Sequence, residues 1–469
     1  MKKLLAFIFA LLPVVQVFTQ PTEPVAPNDT VYKFSLADAI NYALEHNVQI
    51  INGKLDVKKA KWQIWQTTAM GLPQVKGNIN YKQYPELPTQ LMPNFIAPVI
   101  YQVNMQNFGL HPVVPLDTAN NKIPVRFGSE YNAGWGIQVN QLIFSGEYIV
   151  GLQASRIFKE LTEQKYQKSV RDLKASVEQS YVLLLIARES KRILDETYEN
   201  TLKLKENTEQ LVASGMGEPT QVDQMNYVVY QLENQIKTID RQEKLAERLL
   251  KFQLGLNFDD SLVLTTSLDE LKNKFKLGDF LTDTFSVRQN IDYKLFLTQE
   301  HLAKLDLRRE EAKFLPTVMG FYTYSKNAMR DEFNFFDNTQ PWFKTELFGF
   351  QVDIPLWGSG SKIASVSQKK IDYLKARNTR QMMEQQLSIQ YLQTRTNFIN
   401  AYERLLNEER NIRLTKKIYE DTKIKYLNGA ASSLELTQAQ NQYLQAEGNY
   451  YNALMDLVKA KTELEKFLY

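Results

Sequence analysis

A duplication constrains this chain more than any other feature of it. The segment GLPQVKGNINY at 71–81 returns as FLPTVMGFYTY at 314–324, where Leu72, Pro73, Val75, Gly77 and Tyr81 match Leu315, Pro316, Val318, Gly320 and Tyr324 at an offset of 243. The registration is gapless from Asn47, which matches Asn290, through Ala60 and Ala303 and then Ala69 and Ala312. WGIQVNQLIFSG at 135–146 and FGFQVDIPLWGSG at 348–360 match at an offset of 213, and the segments around Gly215 and Gly429 at 214. The period greatly exceeds the roughly 20–50 residues of a solenoid repeat, so the chain doubles a whole supersecondary unit instead of stacking an array. Each half reads as helix, strand, loop, strand, long helix, tight turn, helix.

The strands alternate with period two. One face carries Val75, Ile79 and Tyr81, then Trp135, Ile137 and Val139, then Tyr322 and Tyr324, then Phe348, Phe350, Val352 and Ile354. The other carries Lys76, Asn78, Asn80 and Lys82, then Gln138 and Asn140, Thr323 and Ser325, and Gln351 and Asp353. An antiparallel sheet on a soluble core has this pattern, and so does a membrane barrel with lipid outside and a polar lumen. Each strand has the roughly 10 residues that a tilted strand needs to cross a bilayer, and aromatics sit near the strand ends, which favours the barrel. Four strands cannot close one, because the smallest spanning barrels have about eight and lipid does not tolerate open edges. Several chains must then share a single barrel.

The helices are longer than a globular core needs. FSLADAINYALEHN opens a first helix with a capping-box start at Ser35 and Asp38, and the absence of a breaker predicts a run of about 35 residues to Met70. Proline-free stretches from Tyr148 to Leu211 and from Lys362 to Leu427 predict helices of about 65 residues, roughly 100 Å each. Each is followed by a Gly-containing turn and a helix of about 35 residues, so the two shorter helices of a half together match the long one, as in the wall of a tube. No strict heptad is sustained over many turns.

MKKLLAFIFALLPVVQVFTQ pairs Lys2 and Lys3 with a short apolar run, so 1–19 read as a secretory signal peptide. The chain has no cysteine, so packing and assembly must stabilise it, and an acylated N-terminal cysteine is not available to it. Its 56 Lys and Arg against 53 Asp and Glu, net +3, leave no basic field for nucleic acid. His46, His111 and His301 have no metal-ligand spacing, and WGSGSK lacks the full phosphate-loop pattern, so neither a metal, a cofactor nor catalysis is expected. The competing reading is a secreted or surface-attached coiled-coil scaffold or adhesin without a pore.

In the order and spacing of these features the chain resembles the TolC-like outer-membrane efflux protein family. The carrying segments are FSLADAINYALEHN, the pairs Leu72-Pro73 and Leu315-Pro316 entering strands, QLIFSG and PLWGSG leaving them, and the turns at Gly215 and Gly429. The resemblance implies a mainly α fold with a transmembrane β-barrel: a homotrimer whose twelve-stranded barrel continues as a long α-helical periplasmic tunnel. On that basis 20–257 form the first structural repeat and 258–469 the second, which begins with an equatorial linker. It also implies a passive exit duct in the outer membrane, in contact with outer-membrane lipid and joined through a periplasmic adaptor to an energised inner-membrane pump.

In the family, acidic residues at the sixth and ninth positions after the turn glycine ring the periplasmic aperture. Here Glu435 and Gln438 hold those positions after Gly429, while Gln221 holds the sixth after Gly215 and Asp223 is displaced by two. The ring is reduced. Ser432, three residues ahead of Glu435, offers a capping-box role for the same carboxylate, and Pro219 stands where a first helical residue should. The family's turn tips meet the adaptor, which points to Ser214, Gly215, Met216, Asn428, Gly429 and Ala430, although a glycine-containing helix turn explains the same residues.

The halves differ between their two strands, where the first has about thirty more residues. Its prolines at 85, 88, 93, 98, 112, 115 and 124 discourage regular structure. Leu91, Met92, Phe95, Ile96, Val113 and Val114 are expected to pack over the barrel mouth, with a gate or receptor as the competing role.

Overall fold

The computed structural model describes residues 31–93, 96–109, 122–273 and 285–468. The signal segment 1–19, His111, Phe95, Val113, Val114 and linker residues 274–284 lie outside the described residues. The chain divides into two compact units, each drawn from both sequence repeats: Met1–Val48 with Leu173–Thr282 and Ile399–Thr462, and Gln49–Asp172 with Asp283–Phe398 and Glu463–Tyr469.

The second unit holds a four-stranded antiparallel sheet in the order β2-β5-β7-β8, made of β2 (Gln74–Gln83), β5 (Tyr131–Phe144), β7 (Thr317–Arg330) and β8 (Phe343–Asp353). Its register puts Val75, Val139, Tyr322 and Phe348 in one cross-strand row, with Ile79 opposite Trp135 and Ile137 opposite Tyr324 in neighbouring rows. The predicted alternation therefore survives as one continuous apolar face. Ile79 is 90% and Phe348 82% exposed, an arrangement that water penalises and lipid does not. Toward the strand ends that carry Tyr81 this face becomes charged, with Lys326 in the row of Trp135 and Glu346 in the row of Tyr324.

On the opposite face the Asn80 and Asn327 amides lean over Gly134, where an added Cβ would lie 2.9 and 2.4 Å from their Oδ1 atoms. Glycine is what lets that polar face close in. The outer strand ends are held by aromatic edges, with Tyr81 5.8 Å from Phe333 and 6.1 Å from Phe335 between ring centroids.

The long first loop is more regular than its prolines predict. It forms a two-stranded ribbon of β3 (Thr89–Pro93) and β4 (Lys122–Arg126), and a helix α3 (Ile96–Phe108). Pro93 ends its strand, Pro98 falls in the first turn of α3 where an N–H has no partner to lose, and Pro124 sits in a ribbon with only one neighbour. Each is a position that proline tolerates. Leu91 is exposed within the protomer.

The first helix also departs from expectation. The run from Ser35 toward Met70 breaks at Asn47 into α1 (Leu36–His46) and α2 (Val48–Ala69). Asn47 has φ −66° and ψ 126°, and its repeat partner Asn290, the N-cap of α7 (Ile291–Ala312), has φ −63° and ψ 134°. Asn47 Nδ2 donates to the Gln253 carbonyl at 2.8 Å, and Asn290 Nδ2 to the Lys466 carbonyl at 3.4 Å. The duplicated asparagine thus does the same job in each half, tying a helix junction to the tail of that half's last helix.

The long helices are α4 (Gly146–Ala213) and α8 (Ser361–Leu427), of 68 and 67 residues. The helices after the turns, α5 (Pro219–Leu254) and α9 (Ser433–Leu468), have 36 each. Before the strands of the second half α7 has 22 residues, as α2 has in the first, and the 3₁₀ turn Val287–Gln289 precedes it. In the second unit Arg171 bonds the Asp292 carboxylate at 3.1 Å and the Lys466 carbonyl at 3.1 Å.

In the first unit a parallel pair absent from the sequence reading, β1 (Val31–Phe34) with β6 (Ser261–Leu264), lies ahead of the short helix α6 (Leu268–Asn273). The fully buried Tyr181 of α4 locks it, donating to the Phe34 carbonyl at 2.9 Å and accepting from the Thr266 N–H at 3.2 Å.

Candidate functional site

The predicted site residues all fall in the first unit, at the turns that join α4 to α5 and α8 to α9. Both turns are Schellman caps. Gly215 at φ +76° and Gly429 at φ +72° take the left-handed conformation. The Met216 N–H reaches the Leu211 carbonyl at 2.9 Å, and the Ala430 N–H the Lys425 carbonyl at 2.8 Å. A side chain at either glycine would be strained by about 1–2 kcal/mol. Ser214 Oγ donates to the Leu211 carbonyl at 2.9 Å and Asn428 Nδ2 to the Ile424 carbonyl at 2.9 Å, which closes the last helical turns. Ser214, Gly215, Met216, Asn428, Gly429 and Ala430 are all exposed.

Glu435 forms the capping box that its spacing predicts. Its Oε2 accepts from the Ser432 N–H at 2.7 Å and from Ser432 Oγ at 3.1 Å, while its own N–H donates to Ser432 Oγ at 3.2 Å. The Ser432 backbone and hydroxyl bonds, with Lys425 nearby, hold the Glu435 carboxyl below its ordinary value. Glu435 remains exposed, as does Gln438 one turn later on the same face. The capping bonds and an exposed anionic carboxylate coexist in one side chain.

The first turn is built differently. Pro219 occupies the start of α5, and the N-cap Glu218 makes no side-chain capping bond. Asp223 is exposed and Gln221 half-buried.

Contacts that the sequence does not reveal hold the two turns together. Ser433 Oγ, at the start of α9, donates to Gln224 Oε1 in the first turns of α5 at 2.5 Å. Behind them Leu204, Met225, Tyr419, Tyr426, Leu436, Ala439 and Tyr443 form one buried cluster drawn from four helices. The Tyr419 and Tyr443 rings stack at 5.8 Å with planes 3° apart. Inside the cluster Thr208 Oγ1 of α4 meets the Tyr426 hydroxyl of α8 at 2.5 Å. The tyrosines at helical spacing were the available signal, but a Tyr in a polar helix does not announce its partner.

The first unit thus holds two glycine-capped helix turns bound through one buried, mainly apolar cluster, and the second unit carries an antiparallel sheet with one exposed apolar face. The chain belongs to the outer membrane efflux protein family, whose model matches residues 39–256 and 299–468. Membership places the protein in the outer membrane.

Solved structures agree on the fold. The outer membrane protein VceC of Vibrio cholerae superimposes with a TM-score of 0.68 at 14% identity, over 92% of this chain and 95% of that one. The CmeC outer membrane channel of Campylobacter jejuni gives 0.69 at 15%, over 92% and 85%. Among curated proteins, the proteases secretion protein PrtF of Dickeya chrysanthemi is 22% identical over 315 residues. That match covers 65% of this chain, and the chain spans 64% of the relative's length.

Proposed function

We propose that the protein is the passive outer-membrane exit duct of a tripartite efflux or secretion system. The observation that carries this reading is the four-stranded sheet: one face is apolar and exposed, the other is polar, and its edges β2 and β8 have no outer neighbour among the described residues of the protomer. Lipid tolerates such a sheet only when its edges are closed. Because β2 and β8 run antiparallel to each other through the order β2-β5-β7-β8, β8 of one copy can pair antiparallel with β2 of the next. Three copies close a twelve-stranded barrel, the homotrimer that the efflux channel family supports.

In this reading Glu435 and Gln438, with Gln221 and Asp223 of the other turn, border the periplasmic aperture. The exposed residues Ser214 to Met216 and Asn428 to Ala430 face a periplasmic adaptor, which couples the duct to an inner-membrane pump. Energy enters through the pump, and no catalytic role is assigned to this chain.

The test is single-channel conductance of the detergent-purified protein in planar bilayers. Wild type should form stable trimer-sized pores, and Glu435→Ala should lower their preference for cations. Folded, extracted protein that forms no pore removes the duct. Pores indifferent to Glu435→Ala keep the duct and return Glu435 to helix capping alone.

A further inference from the structure

Two residues that line the same groove of the first unit, Gln231 of α5 and Glu447 of α9, each carry a buried Oε1 with no hydrogen-bond partner among the described residues. The groove runs between α4, α5 and α9 and has a volume of about 850 Å³. Asn234, Gln235, Asn441 and Gln445 supply amides to its walls, and Leu194 and Leu444 supply apolar surface. Glu447 is only 4% exposed. A buried carboxyl oxygen without a partner costs about 1–3 kcal/mol or more, so its retention calls for an explanation.

The protein's own cations do not supply one. Arg192 of α4 directs its guanidinium to Glu189, at 2.7 and 3.1 Å, and to Glu196 at 3.2 Å. Lys416 of α8 acts on Glu447 through space, opposed by the Glu189 carboxylate, and Tyr443 and Tyr451 lie nearby on α9 itself. Every α5 residue in the groove is uncharged. What the groove lacks is a positively charged donor with several N–H bonds.

We propose that this groove binds a primary alkylammonium cation, with Glu447 as its counter-ion, the Gln231 carbonyl oxygen as a second acceptor, and Leu194 and Leu444 against the alkyl chain. An ammonium group offers three N–H donors, enough for both orphaned oxygens and one wall amide. Burial pushes the Glu447 carboxyl up to about 8, with the Glu189 charge adding to the effect, so at neutral pH the empty groove holds the neutral acid. Binding then converts the carboxylic acid and the free ammonium ion into a carboxylate–ammonium pair, and the acid proton leaves to solvent. Affinity should rise with pH, about tenfold per unit well below 8, and level off above it. The site belongs to one protomer and does not depend on the duct reading.

The experiment is calorimetric titration of the detergent-purified full chain with n-butylammonium at pH 6, 7 and 8, in two buffers of different ionisation enthalpy. The expected result is saturable binding with release of close to one proton at pH 7, and affinity that rises about ninefold from pH 6 to 7 and about fivefold from pH 7 to 8. Tetramethylammonium, which has no N–H, should bind at least tenfold more weakly. Glu447→Gln should lose the pH dependence together with at least tenfold in affinity. Gln231→Leu should lose affinity but keep the pH dependence, a combination that a merely misfolded variant cannot give. Absence of butylammonium binding means that water alone fills the groove and overturns the proposal. So does binding that is equal in Glu447→Gln or that releases no proton. Planar-bilayer recording of the same preparation reads the duct separately: binding without pores leaves this site standing and removes the duct.

Discussion

Removing the Tyr426 hydroxyl should loosen the turn region measurably, by an amount the geometry bounds. Thr208 carries one hydroxyl hydrogen, and Thr208 Oγ1 donates it to the Leu204 carbonyl at 2.7 Å. The 2.5 Å contact with Tyr426 must therefore run the other way, with the phenol as donor. Tyr426→Phe deletes that donor and keeps the ring packed, a loss of about 0.5–1.5 kcal/mol per copy. Thr208→Val deletes the acceptor and leaves a buried phenol unpaired, which costs about 1–3 kcal/mol. Once either group is gone the second substitution removes nothing more from the bond, so the double variant should show a coupling of about 0.5–1.5 kcal/mol. Native-state hydrogen exchange at the amides of 211–218 and 427–432 reads this directly, since such openings are local. The expected result is exchange up to about tenfold faster in Tyr426→Phe, at 1.4 kcal/mol per decade. Additive effects within about 0.3 kcal/mol would mean that the hydroxyl pair does not link α4 to α8, and the reasoning would fail.

Other consequences follow from single residues. The folded Glu435 carboxyl titrates below its ordinary value of 4.5 because Ser432 bonds its charged form. The capping contribution is therefore complete above that value and is lost as pH falls through the lowered one. Ser432→Ala should move the Glu435 titration upward, read as an upward shift in the pH at which exchange at 430–436 accelerates, and an unmoved midpoint would contradict the capping box. Gly255 ends α5 at φ +78°, and an added Cβ would lie 2.6 Å from the His46 carbonyl oxygen. Gly255→Ala should cost more than the roughly 1–2 kcal/mol of a left-handed residue, because backbone must move as well, and should lower the midpoint of thermal unfolding. Asn290→Ala removes both the Asp292 N-cap bond at 2.9 Å and the bond to Lys466. It should cost about 0.5–2 kcal/mol, seen as faster proteolysis near residue 290.

Much of the fold could be read from the chain because its signals are local. Alternation placed Val75, Val139, Tyr322 and Phe348 on one face, and the register put them in one row. Turn chemistry located Gly215 and Gly429, and the spacing of Ser432 and Glu435 gave the capping box. These features depend on a few neighbouring residues and on backbone geometry, which sequence states outright. The break at Asn47 escaped that reading because no breaker marks it; its amide instead reaches the Gln253 carbonyl, 206 residues away.

The parallel pairing of Val31–Phe34 with Ser261–Leu264, the Ser433 to Gln224 bond and the Thr208 to Tyr426 pair were decided in the same way. Sequence also gave no sign that Glu447 and Gln231 would leave orphaned oxygens in one groove. A polar side chain on a long helix can face solvent, a neighbouring helix or a cavity. Only the rotation and packing of helices distant in the chain select among these, because the cost of a buried polar group depends on partners that the local sequence does not contain.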